Sequence, residues 1–114
     1  MVTPAAGSIV LDPFPFSDLS QAKLRPALVL ADAGRNDWIL CQLTSNPYSD
    51  PHAIILSDGD FQRGSLQVTS FARPGKLFTG SSRLIVAEVG VLRPAVAKRI
   101  VDAVINLLQR SAER

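Results

Sequence analysis

Histidine, cysteine and long apolar runs are almost missing from this chain, and each gap removes a class of chemistry. There is one histidine, His52, and one cysteine, Cys41. A structural zinc site takes four ligands at characteristic spacings, and no such spacing is present. A Ser-His-Asp triad would have to use His52, which sits in a proline-flanked loop. Cys41 cannot form an internal disulfide, which fits a reducing cytoplasm. In the middle of an apolar stretch it reads as a small buried residue. Neither a Walker loop nor a dinucleotide fingerprint occurs. No apolar run reaches the ~18 residues of a membrane span. The opening Met-Val-Thr-Pro-Ala-Ala-Gly has neither the basic start nor the apolar core of a signal peptide. The expectation is a cytoplasmic protein without membrane, metal or cofactor.

What is present describes a soluble globular chain. Its 114 residues are 46% apolar and 19% charged, which suits one domain with a modest core. Residues 1–114 are expected to form a single domain, with strands over about 7–92 and a helix over about 94–110. The net charge is +2, but its location removes most of its meaning. Residues 1–92 sum to −1, and the basic excess lies in residues 93–114. Global charge therefore does not argue for nucleic acid; only a local cluster could.

Short strands dominate the pattern. Ser8–Leu11 reads as a first strand, closed by Pro13 and Pro15. Ala27–Ala31 is apolar throughout, as for a strand covered on both faces. Asp32–Asp37 is a turn by composition. Trp38–Ser45 alternates, with Trp38, Leu40, Gln42 and Thr44 on one face and Ile39, Cys41, Leu43 and Ser45 on the other. Asn46–Pro51 is a loop, Ala53–Leu56 a short strand, and Ser57–Asp60 a turn rather than a pair of catalytic acids. Leu66–Arg73 alternates again, with Gln67, Thr69, Phe71 and Arg73 on one face, until Pro74-Gly75 breaks it. Leu84–Leu92 is the last strand. From Pro94 onward, Ala97, Ile100, Val104, Leu107 and Leu108 recur at helical spacing, opposite Lys98, Asp102, Asn106 and Gln109. Some six strands followed by one helix point to a small antiparallel barrel with a helical cover.

The stretch from Phe14 to Leu30 organises the rest. An aromatic-proline segment leads to a polar loop with Ser17, Asp18, Ser20, Gln21 and Lys23, and then to Arg25-Pro26 and an apolar run. Pro26 pushes Arg25 towards an extended backbone and suits the start of a strand. A guanidinium fixed there can grip two oxygens of a phosphate. The same geometry serves a structural ion pair, with Asp18 as a nearby carboxylate. Arg25, Thr44, Ser45, Thr69, Arg73 and Lys76 form a set of cations and hydroxyls near strand ends. Phosphoryl transfer within RNA needs little more, because the neighbouring 2′-hydroxyl is the nucleophile. The site has only to align that hydroxyl and stabilise charge on the phosphate. Thr44 and Thr69 are equally ordinary strand residues, so composition and spacing leave both readings open.

Several motifs in order resemble the MazF/PemK toxins of type II toxin–antitoxin systems, the PemK-like branch in particular. They are Gly7-Ser8-Ile9-Val10, Phe14-Pro15-Phe16-Ser17-Asp18, Arg25-Pro26-Ala27-Leu28-Val29-Leu30 and Cys41-Gln42-Leu43-Thr44-Ser45. Asp60-Phe61, Gly64-Ser65-Leu66, Ser70-Phe71-Ala72-Arg73-Pro74 and Lys76-Leu77-Phe78-Thr79 continue the match to about residue 92. The resemblance implies a mainly β fold, a small SH3-like antiparallel barrel with a C-terminal helix, assembled as a homodimer. It also implies a metal-independent, sequence-specific endoribonuclease acting on single-stranded RNA, leaving 2′,3′-cyclic phosphate and 5′-hydroxyl ends. A cognate antitoxin with an acidic, disordered tail would be its protein partner. By this resemblance Arg25 stabilises the scissile phosphate, Thr44 holds it through its hydroxyl, and Arg73 is a further RNA-contacting arginine. Ser17, Lys23, Gln42, Ser45, Thr69 and Lys76 complete the expected RNA-binding set.

Two departures concern the general base. Some members carry a carboxylate two residues after the equivalent of Arg73, where this chain has Gly75. Others place a glutamate in the first loop, where Asp18 is the only acid here. The motifs therefore assign no base; Asp18 is the candidate taken here, because it lies in the loop leading to Arg25, and an unperturbed arginine stays protonated. Two alternatives use the same fold. One is a gyrase poison like CcdB, which depends on a Trp-Gly-Ile ending; the residues Ser111-Ala112-Glu113-Arg114 argue against it. The other is an inactive dimeric binding module.

Overall fold

An apolar residue at every position of one strand requires a covered surface on each side of it, and the architecture supplies both. The computed structural model describes residues 4–13 and 24–113. Its strands are β1 (Ser8–Pro13), β2 (Leu24–Gly34), β3 (Asp37–Thr44), β4 (Ile54–Leu56), β5 (Phe61–Gly64), β6 (Ser70–Ser81) and β7 (Ala87–Leu92), followed by helix α1 (Pro94–Ala112). All seven join one antiparallel sheet in the order β4-β6-β3-β2-β1-β7-β5. The fold is mainly β, a curled half-barrel with a C-terminal helix, as expected.

On β2, Leu28 joins one core cluster with Ile9, Cys41, Leu43, Phe61 and Leu92, and helix residues Val96 and Ile100 close over it. Ala27 and Val29 face the other way and pack with Val10, Leu40 and Ile85. The expected faces of β3 hold too, since Leu40 belongs to the second cluster and Cys41 and Leu43 to the first. The curl is tight. β1 and β6 are separated by two strands, a span of roughly 14 Å in a flat sheet. Yet a Cβ on Gly80 in β6 would lie 2.7 Å from Asp12 Oδ2 in β1. Glycine is required there by the approach of that carboxylate.

The structure departs from the sequence reading at identifiable places. Pro74-Gly75 does not end β6. Cys41 pairs with Leu77 and Leu43 with Ala72, so four residues of β6 bulge opposite Gln42 and the strand continues to Ser81. A bulge accommodates Pro74, which has no N–H for the ladder. Leu66–Thr69 alternates in sequence but is irregular, because pairing with β4 begins only at Ser70. Phe61–Gly64 is an additional strand paired with β7. The turn after β2 is only Arg35-Asn36, with φ of 55° and 64°, the positive values a two-residue hairpin demands. Ser82–Leu84 is a single 3₁₀ turn, so β7 starts at Ala87. On α1 the buried residues are Val96, Ile100 and Val104, whereas Leu108 is 61% exposed. Among the described residues, no helix is long and apolar enough to cross a membrane.

Candidate functional site

The register of β2 against β3 determines which polar side chains meet. Ala27 pairs with Gln42, Leu28 with Cys41 and Val29 with Leu40. The same register continued two residues beyond Ala27 and Gln42 sets Arg25 across from Thr44. Both line one recess of about 180 Å³, together with Pro26, Leu43, Ser45, Leu66, Gln67, Val68 and Ser70. Nineteen positions apart in the chain, Arg25 and Thr44 thus share one wall. Arg25 is exposed and, among the described residues, has no ion pair. Ser17, Asp18 and Lys23 lie outside the described residues, and so does the alternative Arg25–Asp18 pair.

Thr44 is half-buried and its hydroxyl is engaged locally. It donates to the Asn46 carbonyl at 3.0 Å and accepts the Asn46 N–H at 3.1 Å. A threonine hydroxyl has one proton. Donation to an anion in the recess therefore requires release of the Asn46 carbonyl.

Arg73 stands in a different environment. Its Nε donates to Asp50 Oδ2 at 2.9 Å and its Nη1 to Gln42 Oε1 at 3.2 Å. Its guanidinium also lies 5.4 Å from the centre of the Tyr48 ring. The pair is largely enclosed, with the two side chains 16% and 12% exposed. Burial alone would raise the Asp50 pKa. The Arg73 hydrogen bond, the His52 N–H and the charges of Arg73 and His52 outweigh it and hold Asp50 below its ordinary value. Gln42 is thereby tied to Arg73 rather than to the Arg25 recess.

The other expected residues are dispersed. Thr69 lines a neighbouring recess of about 220 Å³ with Ser57, Asp58 and Gln67, behind the wall formed by Leu66, Gln67 and Val68. Lys76 lies in the bulged part of β6 and does not line the Arg25 recess. A Cβ on Gly75 would sit 3.5 Å from Leu107 of α1, so a side chain at the position where some relatives carry a carboxylate would meet the helix here. Asp60 accepts the Ser57 N–H at 2.8 Å, a turn contact. Cys41 is fully buried, and burial pushes its thiol up to about 12, so it stays protonated. Among the described residues, no three His, Cys, Asp or Glu side chains converge to hold a metal ion.

Sequence reasoning missed three residues. Asp12 pairs with Arg25 across β1 and β2, yet it is 2% exposed and its Oδ2 has no partner among the described residues. Burial pushes its carboxyl up to about 6. In sequence, Asp50 and Tyr48 are only members of the Asn46–Pro51 loop. The one signal available for Asp50 was an acid in a segment that otherwise reads as a polar turn.

The profile of the PemK-like, MazF-like toxins of type II toxin–antitoxin systems matches residues 5–108. The chain belongs to this family. Solved structures agree on the fold. A mycobacterial endoribonuclease in complex with its cognate antitoxin superposes with a TM-score of 0.70 at 16% identity, covering 96% of each chain. A MazE–MazF structure from Deinococcus radiodurans gives 0.72 at 21% identity, covering 93% of this chain and 96% of that one. The Mycobacterium tuberculosis toxin MazF-mt6 gives 0.69 at 14% identity over 90% and 96%. A comparison with curated proteins returned no significant match. Within a PemK/MazF toxin, the recess shared by Arg25 and Thr44 is the feature that most needs a chemical account.

Proposed function

We propose that this PemK/MazF family member is an endoribonuclease that cuts single-stranded RNA at a preferred sequence, without a metal ion. The observation that carries the reading is the open recess lined by both Thr44 and Arg25, an arginine without an ion pair among the described residues. Arg25 grips the scissile phosphate and stabilises the charge that builds on its non-bridging oxygens. Thr44 turns its hydroxyl from the Asn46 carbonyl to the same phosphate. The 2′-oxygen attacks phosphorus while its proton passes to a base, and the P–O5′ bond breaks. The 5′-oxygen takes a proton from water, leaving a 2′,3′-cyclic phosphate and a 5′-hydroxyl. Asp18, in the loop leading to Arg25, is the proposed base. The solved mycobacterial and Deinococcus relatives with antitoxins support a cognate antitoxin as the protein partner. A cytoplasmic homodimer completes the proposal.

The test is cleavage of a defined single-stranded RNA in EDTA. The wild-type protein is expected to cut it and leave cyclic-phosphate ends, and Arg25→Ala to lose roughly 10²–10³ in rate. Undiminished cutting by Arg25→Ala would refute the reading. Asp18→Asn cutting at the wild-type rate would remove Asp18 from it.

A further inference from the structure

We infer that Tyr48 is a stacking platform for one RNA base, and that Arg73 positions it rather than gripping phosphate. This rests on the nuclease reading above. The loop of residues 45–53 is rigidly built for its length. Asn46 Oδ1 accepts the Tyr48 N–H at 2.9 Å, and the Asp50 N–H donates to the Pro47 carbonyl at 2.9 Å. Asp50 Oδ1 accepts the His52 N–H at 2.9 Å, while its other oxygen holds Arg73. Within this frame Tyr48 and Ser49 have φ of 54° and 59°. The Arg35-Asn36 turn shows the same left-handed pair, and here the loop's own hydrogen bonds hold it in place.

This frame has a visible result. Tyr48 is 61% exposed, with the Arg73 guanidinium over one face of its ring. Most of the residue is nonetheless open to solvent. The aromatic is carried by a loop whose first anchor is the Thr44 hydroxyl, and Thr44 and Ser45 at the start of that loop line the Arg25 recess. Arg73 has its Nε and Nη1 occupied and is 16% exposed, which suits a support better than a phosphate ligand. An aromatic face accepts any base by stacking, and a cation behind it adds to the attraction. A base adjoining the scissile phosphate is the chemistry this surface fits.

The experiment uses full-length protein and a single-stranded RNA carrying its mapped cleavage sequence, with a 2′-deoxy copy for binding. Tyr48→Ala is expected to raise KM and weaken binding roughly tenfold to a hundredfold while kcat changes little. Tyr48→Phe, which keeps the ring, should stay near wild type. Abasic nucleotides walked along the RNA should reveal one position that weakens wild-type binding and costs Tyr48→Ala nothing further. Arg73→Gln should raise KM in the same direction and be non-additive with Tyr48→Ala. Unchanged affinity in Tyr48→Ala, a Phe variant as weak as Ala, or additive losses at every abasic position would overturn the inference while leaving the nuclease reading intact. Wild-type protein that neither binds nor cuts RNA would overturn both.

Discussion

Two arginines stand near the same strand ends and have opposite surroundings. Arg25 opens β2, is exposed, and has no ion pair among the described residues. Arg73 sits where β6 begins to bulge, enclosed by Asp50, Gln42 and Tyr48. Both precede a proline, and in sequence they look alike. The difference is that the loop after β3 carries a carboxylate that reaches one and not the other. A cation whose hydrogen bonds are already made holds structure; one left open can hold a ligand.

The comparison breaks most visibly through activity. Arg25→Ala should lose roughly 10²–10³ in RNA cleavage, about 3–4 kcal/mol of barrier. Its unfolding free energy should stay within about 0.5 kcal/mol of wild type, because Arg25 is exposed and makes no ion pair among the described residues. A large drop in melting temperature would make Arg25 structural after all.

Arg73→Ala should show the reverse emphasis. Removing it leaves Asp50 largely enclosed without its partner, a loss on the order of 2 kcal/mol, or roughly 8 °C in thermal unfolding. The pH dependence sharpens this. Asp50 has a lowered folded pKa, so its contribution is present above the ordinary value of 3.8 and disappears as pH falls through the folded value. Wild type and Asp50→Asn should therefore converge in stability at strongly acidic pH and differ most near neutrality.

Asp12 supplies a third contrast, an acid on β1 at the pair position of Arg25 that makes no use of that cation. Its folded pKa is raised from 3.8 to about 6 by burial. The sign is opposite to that of Asp50: the folded form holds its proton, and stability falls as pH rises from 3.8 through about 6. Asp12→Asn should nearly match wild type near pH 4 and exceed it above about pH 7 by roughly 3 kcal/mol. Thermal melts across that range check it, and equal curves would mean that the carboxylate finds a partner. The smallest effect belongs to Thr44→Ser, which keeps the hydroxyl and should stay within a few-fold of wild-type cleavage, whereas Thr44→Val should not.

Most of the framework was legible from residue patterns. The unbroken apolar run of β2 announced two covered faces, and α1 announced itself by Pro94 and its period. The recess was half legible, because Arg25-Pro26 and Thr44 stand out in sequence but only the structure brings them to one recess. What stayed hidden depends on partners distant in the chain. The Pro74-Gly75 bulge is visible only against Gln42, and the Leu66–Thr69 alternation lacks a strand to pair with. Asp50 acquires its role from Arg73, 23 residues away. Asp12 is buried because the sheet curls far enough to bring Gly80 against it. Leu108 fits the helical period yet lies past the edge of the surface that α1 covers.

The central claim is that Arg25 and Thr44 act on one phosphate, and a double-mutant cycle on RNA cleavage tests it most directly. Rates are measured in EDTA for wild type, Arg25→Ala, Thr44→Val and the combined variant. Groups acting as a unit should give a double variant little slower than the worse single one. Losses that multiply fully would place the guanidinium and the hydroxyl in separate tasks and contradict the shared site.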